Sequence, residues 1–362
     1  MQSAKFFAKV YNISGTFQRV LDSSLFLNVP TIVREVNKPA GELTIDLALP
    51  WDDFGFGDTI NPFDLVKVYA VNEANPTGLL VYQGTIEEIT GSLNENTDHV
   101  SIRLYPIDAL LNRSLVKTGG GETPADYTKT YTGGDVDTMF SDMVTDANTI
   151  YGSLFTDSLA NTGLSVNVSF LYKTHLDIIN GAFDLLGSSW FWFLNASGLL
   201  ELDEYNDVTA DHTLTLGKDV MAIDVIKSIL DVKNRLNLTY NTSSYANYTD
   251  ATSIADYGRR HYAATNNELT NLAAANAFGD GEIARQKDLK TKTIIKVNTN
   301  YDIETIKPGD TVQVLNKKDG TSQMITGVLR IHRVEYDGTM AILHIADIVD
   351  NFGNEFTKAI AA

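Results

Sequence analysis

Short runs of alternating apolar and polar residues, broken every few positions by Gly, Asn, Pro or Asp, fill the first 110 residues of the chain. Residues 31–35, 43–49, 65–71, 79–82, 84–89 and 99–104 have the Val, Ile, Leu and Tyr content of strands, and their spacing predicts a small barrel or sandwich. The polar segments NEANPTG (72–78) and GSLNENTD (91–98) read as exposed hairpin loops, because their side chains hydrogen-bond locally and have little apolar area to bury.

The pattern changes at the Gly-rich break GGGETPAD, which starts at Gly119. Val136, Met139, Phe140, Met143 and Val144 recur at three- and four-residue spacing, which predicts an amphipathic helix over 132–148 with Asp135 as its N-cap. A second helix is predicted over 174–186, with Leu176, Ile179, Phe183 and Leu186 on one face and Gly187 as its stop. WFWFL (190–194), a turn at 195–198 and LLELDEY (199–205) form a predicted hairpin. Strand texture returns over 212–240, followed by a polar stretch (241–253), an Ala-rich helix predicted over 266–287, and a last all-strand unit over 292–348.

That last unit echoes the first. Pro62, Asp64, Val66 and Val68 of PFDLVKV stand where Pro308, Asp310, Val312 and Val314 of PGDTVQV do. Each segment is followed by a turn with a glycine (Gly78, Gly320), a strand opening at another (Gly84, Gly327), and an alternating strand, VSIRL (100–104) or AILHI (341–345). Two small β domains on one plan would produce this; such turns are common in all-β proteins, so identity alone leaves duplication open.

Composition narrows the chemistry. With 362 residues, 43% hydrophobic and 20% charged, the chain is long enough for two or three folded units and is not of disordered composition. The formal net charge of -18 repels phosphate backbones and anionic lipids, which argues against ordinary nucleic-acid binding. The absence of cysteine removes disulfides, thiolate catalysis and Cys-ligated metals. No signal peptide and no apolar run near 18 residues is visible, so the expectation is a soluble protein made in a cytoplasm, with no membrane span.

No motif carries a recognisable reaction. None of the six histidines pairs at the i, i+4 spacing of a helical metal site; His332 and His344 could meet across a hairpin, the ordinary reading being two structural histidines. Gly119–Gly121 lacks the lysine and helix of a phosphate cradle. Glu87 with Glu88, Asp52 with Asp53, and Glu201 with Asp203 could serve as glycosidase pairs, but 46 acids produce such pairs by chance. Asp52, Asp53 and Asp58 could bind calcium, although the spacing misses the EF-hand loop; a solvated loop around Trp51, Phe54 and Phe56 is the plainer reading. The aromatic run 190–193 could be a carbohydrate platform, yet on a strand four consecutive aromatics face both sides and read as packing. Asp64 and Asp310 read as caps of their own turns. The expectation is therefore no enzyme, no catalytic, metal or cofactor-binding residue, and no cofactor.

The order of parts resembles the baseplate-hub or tail-tip hub proteins of long-tailed bacteriophages. The resemblance lies in layout over nearly the whole chain: the helix-to-hairpin passage from Leu176 to Glu201, Tyr257-Gly258 before the Ala-rich helix, and IKPGDTV (306–312) after it. It implies an α+β, mainly β fold of two similar small β-barrel tube domains and an intervening α/β lobe. The first tube domain would span 1–110, and the lobe 111–206 completed by 241–290. The second tube domain would combine 207–240 with 291–350, leaving a C-terminal tail at 351–362. It further implies a structural virion protein, a homotrimer that adapts a sixfold tail tube to a threefold tip and encloses the channel for DNA or tape-measure protein. Its partners would be the tail-tube or distal tail protein ring, spike or fibre proteins and the tape-measure protein, with assembly in the bacterial host cytoplasm and a role in DNA ejection. An acidic channel lining would let DNA slide without being held. The competing expectations are a carbohydrate-binding β protein stacking sugar on Trp51, Trp190 or Trp192, and a glycan hydrolase using a carboxylate pair.

Overall fold

The computed structural model describes residues 5–12, 14–49, 60–73, 75–94, 97–186, 189–205, 209–288, 290–315 and 328–346. Its first strands are β1 (Lys5–Tyr11), β2 (Phe17–Leu21), β3 (Ile32–Glu35), β4 (Leu43–Leu47), β5 (Leu65–Val71), β6 (Leu79–Asn94) and β7 (Thr97–Pro106). Six of them make an antiparallel sheet in the order β2-β1-β5-β6-β7-β4. Alternation drives it: Phe6, Ala8 and Val10 of β1 and Val66, Val68 and Ala70 of β5 point inward while their neighbours face out. The segment after β2 folds over β4, with Leu27 N donating to Asp46 O and Ala48 N to Leu25 O, and nearly closes the sheet into a barrel.

The lobe follows, with β8 (Thr128–Asp135), α1 (Val136–Tyr151), β9 (Thr156–Leu159), β10 (Ser165–Leu171), α2 (His175–Phe183), β11 (Trp190–Leu194) and β12 (Leu199–Glu204). Then come β13 (His212–Thr215), β14 (Val220–Ser228), β15 (Arg235–Tyr240), β16 (Ser244–Thr249), α3 (Ala251–Tyr257), β17 (His261–Asn266) and α4 (Leu272–Gln286). The last described elements are β18 (Lys290–Asn298), β19 (Thr311–Leu315), β20 (Leu329–Tyr336) and β21 (Met340–Ala346). The second barrel has the order β13-β19-β20-β21-β18-β14, and β3 leaves the first barrel to pair with β20 of the second. The fold is α+β and mainly β, two similar small barrels with an α/β lobe between them in sequence.

Both barrels share one hydrophobic core, in which Phe6 and Ile32 meet Tyr336, Leu343 and their neighbours. The lobe has its own core, built from the buried stripes of α1 and α2, the inner face of β15 and one face of α4. The periodic residues of α1 are all buried, and Asp135 occupies the N-cap position without a side-chain capping bond. At α2 the capping box of Thr174 and Asp177 sets the start.

Several expectations change. The Ala-rich helix is shorter than 266–287, because Asn271 caps it by accepting from Ala274 N and the residues before it form β17. The polar stretch 241–253 contains β16, which among the described residues pairs only with β15 as an outer strand, for which a buried apolar face is not required. Residues 91–94 and 97–98, read as loop, extend the β6–β7 hairpin. β6 runs unbroken through Gly84, where a Cβ would meet the Tyr105 carbonyl oxygen at 2.3 Å. Residues 51–58 with Trp51, Asp52, Asp53, Phe54, Phe56 and Asp58, the tail 351–362, and Gly187, Gly320 and Gly327 lie outside the described residues.

The sequence echo is a repeat of backbone. In each barrel a strand, a turn and three further strands give the same sheet order, β5-β6-β7-β4 and β19-β20-β21-β18. Asp64 Oδ2 accepts from Asn61 N (2.8 Å) as Asp310 Oδ2 does from Lys307 N (3.0 Å). The residue before each aspartate has positive φ, +76° at Phe63 and +94° at Gly309. Its amide donates to Ile86 O or Ile331 O, and the Ile86 and Ile331 amides return to the aspartate carbonyls, both at 2.9 Å. A bulge then follows each isoleucine. Asp64 and Asp310 are thus turn caps, as their sequence context predicts.

Candidate assembly surface

Among the described residues, those that the sequence offered for chemistry are engaged in holding the fold. Glu87 pairs with Arg113, and Glu88 lies 3.8 Å from Arg103. Glu201 takes Lys307 Nζ at 2.8 Å, while Asp203 accepts from the Glu204 amide at 2.8 Å. His332 and His344 do meet across the β20–β21 hairpin, with ring centroids 6.2 Å apart. His332 Nδ1 donates to the His344 carbonyl at 2.8 Å, His344 Nε2 pairs with Glu335 at 2.8 Å, and burial pulls the pKa of His332 down. Among the described residues no three His, Asp or Glu side chains gather as a metal site. The Gly119–Gly121 loop wraps Asp126, which accepts from Gly121 N (3.2 Å) and Thr123 N (2.9 Å), so a carboxylate of the chain occupies the would-be anion cradle.

WFWFL is packed on both faces. Trp192 and Leu194 enter the lobe core, whereas Phe191 and Phe193 join Val36 and Tyr205 on the barrel side. Trp192 is 0% exposed, so it cannot stack on a sugar, and Trp190 is half-buried against the lobe. Asn37, at φ +61°, clamps the strand: its amide donates to Trp192 O and its Oδ1 accepts from Trp192 N, both at 2.8 Å. Phe191 in turn fills the space where a Gly309 Cβ would sit, 2.2 Å from Cε2.

Buried polar groups that the sequence did not single out sit at the joints. Arg285 of α4 pairs with Glu282 and donates to Leu186 O at 3.0 Å, tying the helix to the chain after α2. At the junction of the barrels Asp302 accepts from Asn72 Nδ2 (3.0 Å), and the Tyr336 hydroxyl donates to Glu304 (2.9 Å), whose pKa burial raises. Asp108, in the turn 107–112 that leads from the first barrel into the lobe, is 2% exposed, and burial lifts its pKa to about 7. Apart from the Glu282–Arg285 pair within α4, their partners come from distant segments, which no local motif marks.

What the fold leaves open is strand edge. Among the described residues β2 pairs only with β1, and β14, beyond its first residue, only with β18, so within that set each has backbone groups on its outer side without a strand partner. Apolar side chains are exposed beside them, Phe17 (51%) and Val20 (44%) on β2 and Met221 (51%) on β14. The two edges belong to the two barrels, an arrangement able to join copies head to tail. No local sequence signal marks it, since neither FQRVL nor VMAIDVIKS alternates and apolar content alone does not tell an edge strand from a central one.

The model of the YQBQ-like family matches residues 126–340. A comparison with curated protein sequences finds no match. Among solved structures the chain is similar to the tail protein from Neisseria meningitidis MC58, at 13% identity and TM-score 0.63 over 95% of this chain and 96% of that one. It is similar also to the 43 kDa tail protein of prophage MuSo2 from Shewanella oneidensis, at 14% and 0.63 over 95% and 98%. The prophage tail protein gp18 from Listeria monocytogenes EGD-e gives 10% and 0.58 over 99% and 98%. At these identities the likeness establishes the fold, and at that level the resemblance to tail proteins read from the layout holds.

Proposed function

Since the chain belongs to the YQBQ-like family and has the fold of phage tail proteins, we propose that it is a structural, non-enzymatic component of a phage-type tail. Three copies form a hub that meets a sixfold tube ring on one side and a threefold tip on the other. The repeated four-strand unit carries this reading. Three chains with two such units each supply six similar barrels, so one ring can offer approximate sixfold symmetry and true threefold symmetry together. In this arrangement 1–110 forms the first barrel, 207–240 with 291–350 the second, and 111–206 with 241–290 the outer lobe.

The open edges of β2 and β14 support head-to-tail contact between copies. The net charge of -18 suits a channel that passes DNA or tape-measure protein without binding phosphate. The tube ring, the spike or fibre and the tape-measure protein are its partners, and it acts in the virion after assembly in the host cytoplasm. No helix among the described residues is long and apolar enough to cross a membrane.

Light scattering of the purified chain tests the reading. The expected species has three times the 39.8 kDa chain mass, with a central hole and six-lobed outline in negative stain. Met221→Glu, which places a charge on the β14 edge, should return it to monomer. A monomer at every concentration, or a Met221→Glu oligomer as stable as the parent, overturns it.

A further inference from the structure

The outward face of β2-β1-β5 differs in charge from the rest of this acidic chain. The three strands read FQRVL, KFFAKVY and LVKVYAV, with no Asp or Glu among them. Lys9 stands directly opposite Lys67 in the β1–β5 register. Like charges facing each other across a sheet are destabilising unless something compensates. Elsewhere Lys38, Lys117, Lys129, Lys173, Lys287 and Lys307 each reach a carboxylate within 3.0 Å. No ion pair among the described residues reaches Lys9 or Lys67.

Aromatic rings hold these two lysines instead. Lys9 Nζ lies 5.7 Å from the ring centre of Phe7 and 5.0 Å from that of Tyr69, and Lys67 Nζ lies 5.5 Å from that of Tyr11. Phe7 and Tyr69 are stacked, 4.9 Å apart at 7°, which fixes the platform. Cation–π contacts keep each ammonium on the sheet and leave its charge without an anion. Phe17 and Val20, which face Tyr11 and Lys9 in the β1–β2 register, extend the face with exposed apolar surface.

We propose that this face docks a carboxylate-rich surface of another protein, with acidic side chains seated on the Lys9–Lys67 rung and apolar ones against Phe17 and Val20. Charge complementarity argues for an anionic partner. The rings argue against a single-stranded nucleic acid, because Phe7 and Tyr69 stack on each other under Lys9, which reduces the ring surface on which successive bases would stack. The net charge of -18 repels a polyphosphate at long range, while a short acidic protein patch carries far less charge. Edge contact between copies extends a sheet in its own plane, so the Lys9–Lys67 rung, one strand in from the β2 edge, stays open whether or not the copies assemble.

The test uses the full chain, a fluorescein-labelled 20-residue peptide with four glutamates among apolar and neutral residues, and single- and double-stranded 20-nucleotide DNA, by fluorescence anisotropy at low salt. The parent should bind the peptide more tightly than either DNA, and Lys9→Gln with Lys67→Gln should weaken it by on the order of tenfold. Thermal unfolding confirms that the variant is folded; should the double variant unfold, Lys67→Gln alone carries the test with a smaller loss. Undiminished peptide binding by the variant, or none by the parent, overturns the proposal. Tighter DNA binding that the same variant loses overturns it in favour of nucleic acid. A change in oligomeric mass on substitution overturns it by making the face a contact between copies.

Discussion

Replacing Asp108 by Asn should make the protein markedly less sensitive to pH between about 4 and 8. The carboxyl is buried where β7 gives way to the lobe; Oδ2 accepts from Ala40 N at 2.6 Å, and Oδ1 has no hydrogen-bond partner. A cavity of about 10 Å³, lined by Arg34, Tyr82 and Asn195 among others, adjoins it, enough for a single water. Burial raises the pKa from 3.8 to about 7, so the folded state holds a proton that the unfolded chain releases. Below pH 4 both states are protonated and the group costs nothing. As pH rises the unfolded chain ionises first and stability falls, until above pH 7 the folded carboxyl has ionised too and the penalty is complete. At ~1.36 kcal/mol per unit, the 3.8-to-7 shift amounts to about 4 kcal/mol. The Asn variant lacks this term, though its amide can leave an unpaired N–H at a pH-independent cost of about 1–3 kcal/mol. Urea unfolding of both proteins across pH 4–8 should therefore give a difference that moves by about 4 kcal/mol in favour of the variant as pH rises. Parallel stability curves would refute the reasoning, since they would mean that Asp108 ionises as freely folded as unfolded.

Gly309→Ala should cost about 2–4 kcal/mol in urea unfolding, because the new Cβ meets the Phe191 ring at 2.2 Å on a backbone at φ +94°; a loss below 1 kcal/mol would show that Phe191 moves aside freely. Trp192→Ala should destabilise by about 3–5 kcal/mol, and a variant of unchanged stability would contradict the burial of this side chain. Arg285→Ala, which leaves Glu282 buried without its cation, should cost about 3–5 kcal/mol, and Glu282→Gln in the same background should restore part of it.

The parts legible in the sequence are those fixed by neighbours along the chain. The stripe of α1, the capping box of α2 and the 195–198 turn each depend on residues within a few positions of one another. The repeated turn was visible because Asp64 and Asp310 each accept from the amide three residues back, although the contact of Asp310 with His212 Nε2 (2.9 Å) joins distant segments. β1 carries the same kind of local signal, Phe6, Ala8 and Val10 alternating in KFFAKVY. Other features have no local cause: β6 passes Gly84 because Tyr105 lies against it, and Asp108 is desolvated by segments that the sequence does not place. The lysine–aromatic face depends on the β1–β5 register, which joins strands more than fifty residues apart in the chain. For the candidate surface, the sequence supplied edge-compatible strands, and only the sheet order distinguishes β2 and β14 as outermost.

The transfer of β3 to the second barrel bears on how the protein is made. Val33 and Arg34 pair with Glu335 and Val334, roughly three hundred residues further along. At about 5–20 residues per second, a ribosome needs about 15–60 s to supply that partner after β3 has emerged. For that interval β3 has neither its sheet nor its share of the common core. The N-terminal barrel, despite its nearly complete set of strands, thus depends for its final form on a segment translated long after its own.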